Sequence, residues 1–370
     1  MNTGASTRSS DELPLRGAAG TAEHEGYGVA DEPDMVSFLL RRLVALIPVL
    51  ALVLVITFSL VRIIPGDPAV TLSGPGATNE QIAALRLQLG LDRPAAFQFF
   101  DYVGGLLQGN LGTSLKTGNG VLQEILLRLP ATLELSICAT VLAILIGIPI
   151  GVLSATWPNS GLDHVTRVVS LVGVSMPAFL LALILQLIFA TYLGWLPVSG
   201  RISPYVVTPT VTGFVALDGV INGDFGAMWS AVQHLVLPTT VLAAFLAATL
   251  GRFVRNTMLD VMTEDYIRTA RAKGLSRSSV ILHHGLRNSL LPAITITGLK
   301  FAEMLGGAIL TETIFAWPGV GRFMFEAIKN RDYPVIQGTT LIFALLFVAT
   351  SLLVDLLYGV LDPRVRRKMQ

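Results

Sequence analysis

The sequence predicts an all-α membrane protein with six transmembrane helices, and its composition and its hydropathy pattern carry that prediction. Of its 370 residues, 52% are hydrophobic and only 14% are charged, whereas soluble domains carry roughly 25% charged residues. The mean hydropathy is +0.65. The apolar residues are gathered into long uncharged runs, and about 20 such residues in a helix cross the hydrocarbon of a bilayer. A soluble core would interrupt these runs with polar residues, so we assign them to lipid.

Residues 1–34 differ from the rest of the chain. They are rich in Gly, Ala, Ser, Asp and Glu and contain few large apolar side chains. Such a segment cannot bury enough apolar surface to offset the entropy cost of ordering, so we predict a disordered cytoplasmic tail. The first apolar run begins near Phe38 and is about one membrane span long, which favours a retained anchor over a cleaved signal peptide. Residues 35–370 are predicted to form the transmembrane domain.

Six nearly uncharged runs supply one predicted span each. They are residues 43–61, 135–162, 168–200, 235–251, 289–311 and 333–354. The fifth run contains Lys300 and Glu303, which are three residues apart and can therefore face each other on a helix. Because lipid penalises charged groups, we expect both side chains to face the protein interior.

Basic residues predict the orientation of the spans, because Lys and Arg are enriched in short cytoplasmic loops. They concentrate before spans 1 and 3, between spans 4 and 5, and after span 6. All of these positions fall on one side of the membrane, so both termini are predicted to be cytoplasmic. The residues are Arg41, Arg42, Arg167, Arg252, Arg255, Arg268, Arg271, Lys273, Arg277, Arg287, Arg364, Arg366, Arg367 and Lys368.

The predicted extracytoplasmic segment, residues 62–134, is too long for a simple connection and carries its own folding signals. Thr78 to Gln81 fits a capping box, and Gly90 suits the end of the helix that follows it. A second helix is predicted from Pro94 to Gln108. We therefore expect a small helical cap on this face, whereas residues 195–233 should be mostly loop, with one short helix before His234.

The predicted cytoplasmic loop, residues 252–288, contains a helix–turn–helix pattern. Residues 266–272 are compatible with a short helix, Gly274 can adopt a left-handed C-cap, and Ser276 can cap the next helix. Small and basic residues around the glycine could form a compact knob for a groove on another protein, or the loop could simply be solvated. The candidate contact residues are Tyr266, Arg268, Thr269, Ala270, Arg271, Ala272, Lys273, Gly274, Leu275 and Ser276.

Three charged residues at predicted membrane depth form a second candidate site. Lys300, Glu303 and Asp355 could line a translocation path, or Lys300 and Glu303 could form an internal ion pair that fixes helix packing. The structural interpretation is preferred for that pair. Gly147 and Gly151 form a Gly-x-x-x-Gly pattern in span 2, which permits either close helix approach or, with a proline between them, a kink.

Several other classes of chemistry have no support in the sequence. It contains no Gly-x-x-x-x-Gly-Lys-[Ser/Thr] motif to hold ATP phosphates. The single cysteine, Cys138, lies in an apolar run and is expected to serve in packing. His283 and His284 are adjacent and so point about 100° apart on a helix, which argues against a shared metal site. Nothing indicates nucleic-acid binding, an internal repeat typical of secondary transporters or a membrane enzyme.

Short motifs along residues 38–363 resemble the inner-membrane permeases of ABC importers for dipeptides and oligopeptides, the dipeptide permease B type. Residues 266–292 are similar to the family's EAA loop, which docks on the ATPase subunit. The general pattern places Glu-Ala-Ala where this chain has Arg268, Thr269 and Ala270, which looks like the peptide subfamily's own variant. The other matching strings are residues 65–68, 89–92, 109–114, 129–135, 317–321 and 331–334.

The resemblance implies a non-catalytic permease subunit in the cell membrane. It implies a second homologous permease, two cytoplasmic ATPases that bind ATP and magnesium, and an extracytoplasmic binding protein that delivers peptide. The chain itself would need no cofactor and no metal. Nickel, glutathione or another small solute remains an alternative cargo, because related permeases share these motifs, and a self-sufficient secondary transporter is the less favoured alternative class.

Overall fold

The computed structural model describes residues 35–63, 67–74, 76–88 and 90–361. The predicted tail, residues 1–34, and the basic residues 364–368 lie outside this part of the chain. The chain divides into two units, Met1–Leu43 and Val44–Gln370, and the contacts below belong to the second unit. The described residues are predominantly helical, which confirms the predicted all-α class.

The helices follow the order of the predicted apolar runs. They are α1 (Met35–Ile63), α2 (Pro68–Ser73), α3 (Asn79–Gln88), α4 (Ala95–Leu107), α5 (Val121–Thr156), α6 (Gly161–Ser175), α7 (Ala178–Leu185, continued by a π-helical turn Gln186–Tyr192), α8 (Val215–Ile221), α9 (Phe225–Val261), α10 (Asp265–Ala272), α11 (Arg277–Ser279, continued by a π-helical turn Val280–Leu286), α12 (Arg287–Gly307), α13 (Ile309–Ile314), α14 (Val320–Asn330) and α15 (Tyr333–Leu361).

Among the described residues, three helices are long and apolar enough to cross a membrane by length and composition, namely α5, α9 and Tyr333–Leu357 of α15. The bent pair of α6 with α7 would be a fourth, and Val44–Leu60 of α1 is a shorter apolar helix. The fifth predicted run falls on α12, which carries the Lys300 and Glu303 charges. Each predicted run therefore overlaps a helix or a bent helix pair. Among the described residues, however, fewer than six helices are long and apolar enough to cross a membrane.

The third predicted span is not a single straight helix. The expected run was 168–200, but α6 already begins at Gly161 and ends at Ser175, and α7 continues from it at an angle of 104°. The break falls at Met176 and Pro177, where Met176 is extended, with φ −76° and ψ 127°. Proline disfavours the helical conformation of the residue before it, so Pro177 explains why the helix stops there. We call this bend the elbow.

The second and fourth spans begin earlier than the apolar pattern predicted. Helix α5 starts at Val121 rather than Leu135, and α9 starts at Phe225 rather than Leu235. Helix α9 also continues to Val261. The predicted segment 62–134 therefore contains the beginning of α5, and the predicted segment 252–288 contains the end of α9. Charged residues, among them Glu124 in α5 and Arg252 in α9, interrupt the apolar pattern in the extensions at the start of α5 and the end of α9.

Helices α5 and α9 pack very closely along a stripe of small residues. A Cβ atom added to Gly147 would lie 2.8 Å from the carbonyl oxygen of Ala247, and one added to Gly151 would lie 2.7 Å from the carbonyl oxygen of Gly251. Helix α5 runs without interruption from Val121 to Thr156. The Gly-x-x-x-Gly pattern therefore serves close helix approach, as the first of its two interpretations predicted.

The short helices of the predicted cap are present. The Thr78 amide donates to Gln81 Oε1 at 3.0 Å and the Gln81 amide donates to Thr78 Oγ1 at 3.3 Å, which is the reciprocal bonding of a capping box. Gly90 has φ +65° and Gly109 has φ +76°, the left-handed conformation that suits glycine after a helix. The helix predicted from Pro94 to Gln108 is α4.

Candidate coupling loop and translocation surface

The predicted helix–turn–helix comprises α10, a glycine turn and α11 with its π-helical continuation. Gly274 has φ +78°, its amide donates to the carbonyl of Arg271 at 3.0 Å, and the Leu275 amide donates to the carbonyl of Ala270 at 3.4 Å. The Ser276 hydroxyl accepts a hydrogen bond from the Ser279 amide at 3.4 Å. The glycine cap and the serine cap thus stand where the sequence predicted them.

Most of the candidate contact residues are exposed, but Ala270 is not. Ile267, Ala270 and Val280 form a small apolar cluster in which Ile267 is fully buried and Ala270 is only 6% exposed. The proposed contact of Ala270 with a partner groove is therefore wrong, because its side chain faces the second arm of the same motif. The exposed candidates are Tyr266, Arg268, Thr269, Arg271, Ala272, Lys273, Gly274, Leu275 and Ser276.

The helix–turn–helix is attached to the long helices by polar contacts on both arms. Asn288 of α12 donates to the Tyr266 hydroxyl at 2.7 Å. Arg277 donates to the carbonyl of Thr156, the last residue of α5, at 2.9 Å. Buried Met258 of α9 belongs to the same apolar cluster as Ile281 of the second arm. These contacts join both arms of the motif to α5, α9 and α12.

A buried carboxylate that we did not single out from the sequence joins α6 to α9 near this motif. Asp163 is fully buried and accepts two hydrogen bonds from Arg255, at 2.6 Å from Nε and 2.9 Å from Nη2. Arg167 donates to it at 2.6 Å, as does the Asn159 amide at 2.9 Å. The spacing of Asp163 and Arg167, one helical turn apart, was the only signal in the sequence for an ion pair here. The sequence could not indicate the contact with Arg255, because Arg255 lies on another helix.

The two charged residues in α12 contact each other. Lys300 Nζ lies 2.5 Å from Glu303 Oε2, so the predicted pairing is present. The side chains are 42% and 65% exposed, so the described residues of this chain do not enclose the pair. They line a cavity of about 350 Å³ shared with α7, α9 and the end of α6. Asp355, the third candidate, is half-buried in α15 and does not line this cavity.

The opposite end of α5 is joined to α13 and α14 by a buried carboxyl, another residue that sequence analysis missed. Glu312 is fully buried and accepts hydrogen bonds from the Thr132 hydroxyl at 2.7 Å and the Arg322 amide at 2.8 Å. Burial raises the pKa of the Glu312 carboxyl to about 7, although the hydrogen bonds it accepts favour the ionised form. The nearby motif at residues 317–321 was recognised, but the carboxyl it encloses was not.

The His283 and His284 rings are 5.3 Å apart and nearly perpendicular. In the part of the chain that the structure describes, no group of three or more His, Cys, Asp or Glu side chains is arranged to hold a metal ion. The cysteine, Cys138, is half-buried beside a cluster that includes Leu135 and Trp317. Cys138 therefore lies in a packing environment, as its apolar run predicted.

Two protein-family models match nearly the whole described chain. Residues 147–367 match the binding-protein-dependent transport system inner membrane component, and residues 35–136 match the N-terminal part of such membrane components. The helix–turn–helix, the elbow and α12 all lie within the first match. The N-terminal match covers α1 to α4 and the first part of α5.

Curated relatives match over their full length. The dipeptide transport system permease protein of Alkalihalophilus pseudofirmus is 47% identical over 332 residues, which cover 90% of this chain and 100% of the relative. The corresponding protein of Escherichia coli K12 is 45% identical over 338 residues with the same coverage. The glutathione transport system permease protein of Salmonella choleraesuis is 41% identical over 334 residues, again covering 90% and 100%.

The helical fold with several apolar spans is that of a multi-pass membrane permease. The family match and the full-length relatives define the class further: the chain belongs to the inner membrane components of binding-protein-dependent transport systems. The resemblance that its short motifs suggested is thereby confirmed.

Proposed function

We propose that this protein is the permease subunit of an ATP-driven importer of dipeptides and short oligopeptides. The observation that carries the proposal is the similarity to dipeptide transport permeases, which extends over 90% of this chain and all of each relative. In this proposal a second permease completes the translocation path and a binding protein delivers the peptide. Two separate ATPases bind ATP and magnesium and supply the energy.

The helix–turn–helix supports the coupling part of the proposal. It presents exposed basic residues, among them Arg268, Arg271 and Lys273, around a narrow glycine turn. Its apolar side is closed by internal packing, so it offers a preformed knob rather than a segment that must fold on contact. Its attachment to α5, α9 and α12 would carry an ATPase movement into the transmembrane helices. We assign the exposed candidate residues of this motif to the ATPase contact.

Uptake in whole cells tests the proposed cargo. Cells that lack other peptide uptake would express this chain with the second permease, the ATPases and the binding protein of its transport system. We expect labelled dipeptide to enter only when all subunits are present, and the purified chain alone to hydrolyse no ATP. Uptake of glutathione without dipeptide would favour the alternative cargo that the Salmonella relative suggests. Uptake by this chain alone on a proton gradient would indicate a secondary transporter.

We further propose six spans, with both termini and the helix–turn–helix in the cytoplasm. The exposed basic residues of that motif support this orientation because of the positive-inside rule. A reporter inserted near Ser276 should read cytoplasmic, whereas one near Gly118, in the exposed turn before α5, should read external. A cytoplasmic reading near Gly118 would contradict the six-span topology.

A further inference from the structure

We propose that Lys300 and Glu303 recognise the two charged ends of a peptide as it passes through the permease. Glu303 would receive the terminal ammonium group and Lys300 the terminal carboxylate. This inference rests on the proposed peptide-import function and assigns a substrate contact within it. On binding, Lys300 and Glu303 would separate, so that their ion pair is replaced by one contact of each side chain with the peptide.

The elbow creates the space that such a contact needs. Val174 and Ala178 stand on either side of the break at Met176 and Pro177, and both line the cavity of about 350 Å³ that the Lys300–Glu303 pair also lines. The middle of α9 forms a further wall. Both arms of the elbow, α9 and the Lys300–Glu303 pair therefore bound one cavity.

Lys300 and Glu303 are the charged residues that line this cavity. The other lining residues are apolar, except for Thr249, whose hydroxyl donates to the carbonyl of Phe245 in its own helix at 2.9 Å. Apolar walls accommodate varied side chains without specific hydrogen bonds. A site of this kind would select for the charged ends that peptides share, while tolerating differences between their side chains.

Packing alone does not account for the position of the pair. An exposed ion pair contributes little to stability, and charges at membrane depth are unfavourable against lipid. The side chains are 42% and 65% exposed in this chain, so their face of α12 requires water, a partner protein or a charged ligand. A cavity that holds a zwitterion satisfies this requirement.

The spacing of the two charges suits a short peptide. Side chains three residues apart on a helix have Cβ atoms roughly 5–6 Å apart, and the long Lys300 side chain can extend this separation. An extended dipeptide spans roughly 7 Å. Both termini can therefore meet their opposite charges at the same time, and longer peptides can do so by bending or by using one contact.

The first test neutralises both charges while keeping the side chains similar in size. In the complete transporter, Lys300→Met with Glu303→Gln should lower dipeptide uptake about tenfold or more, because two charge-assisted contacts are lost. Co-purification of the ATPases and the thermal unfolding temperature should match those of the unmodified protein. A pair that only supports packing predicts unchanged uptake or failed assembly, and either result would overturn the proposal.

A second test leaves the pair intact. With Cys138→Ala as background, Ala178→Cys places a single thiol in the cavity, and Leu145→Cys, on an exposed side of α5, is the control. A charged thiol reagent should modify the Ala178→Cys protein, because the reactive thiolate forms in water, and dipeptide transported during turnover should slow this modification several-fold. No modification, or no protection by dipeptide, would refute the proposed site. Absence of dipeptide uptake by the unmodified transporter would instead refute the import function itself.

Discussion

Gly274→Val is expected to reduce dipeptide uptake sharply, by roughly fivefold to a hundredfold. Gly274 has φ +78°, and an added Cβ would meet nothing within 4 Å, so the cost comes from the backbone and not from a clash. A β-branched residue in this left-handed conformation stores about 1–3 kcal/mol of strain. Relief of that strain would move the second arm and misplace the proposed ATPase contact. Uptake and co-purification of the ATPases measure the effect.

Two matched variants separate strain at the turn from general damage. Gly274→Asn should retain most uptake, because Asn tolerates the left-handed conformation better than other residues. Gly104→Val should be nearly neutral, since Gly104 lies inside helix α4 without a positive φ, and an added Cβ would meet nothing within 4 Å. Membrane insertion of all three variants should be normal because the apolar runs are unchanged. Normal uptake and normal ATPase co-purification by Gly274→Val would show that the loop is only a connector.

The sequence predicted most of the helices because apolar runs and capping interactions involve residues that are close together in the chain. Long apolar runs located α1, α5, α9 and α15, and local capping chemistry located the turn at Gly274. The elbow was missed because residues 168–200 contain no charge before the loop that follows, so hydropathy gave no sign of a break. The signal that could have found it was Pro177, whose effect on Met176 is also local.

The buried ionic contacts could not be predicted for a different reason. Asp163 and Arg255 lie 92 residues apart, as parts of separate helices, and a single sequence does not indicate which residues meet. Glu312 and Thr132 lie 180 residues apart. The pairing of Lys300 with Glu303 was predictable from their spacing along one helix. Its exposure depends on how α6, α7 and α9 are arranged, which no local pattern specifies.

Asp163→Ala is expected to produce the largest loss of stability among single substitutions near the helix–turn–helix. Asp163 is fully buried, and Arg255 is only 15% exposed, so removing the carboxylate leaves a guanidinium group without its bidentate partner. Breaking a buried pair in this way costs about 3–5 kcal/mol. Because the pair joins α6 to α9 just before α9 leads into α10, both the unfolding temperature and ATPase co-purification should fall.

Two further variants show whether the effect belongs to the Asp163–Arg255 pair. Arg167→Gln should cost no more than about 1 kcal/mol, since Arg167 is 43% exposed and exposed ion pairs contribute little. Asp163→Leu with Arg255→Met should recover a large part of the stability that Asp163→Ala loses, because an apolar pair leaves no buried charge without a partner. Thermal unfolding of the detergent-solubilised protein measures each step. If the double variant is as unstable as Asp163→Ala, the pair does not act as a unit, and α6 and α9 are held together by their apolar contacts.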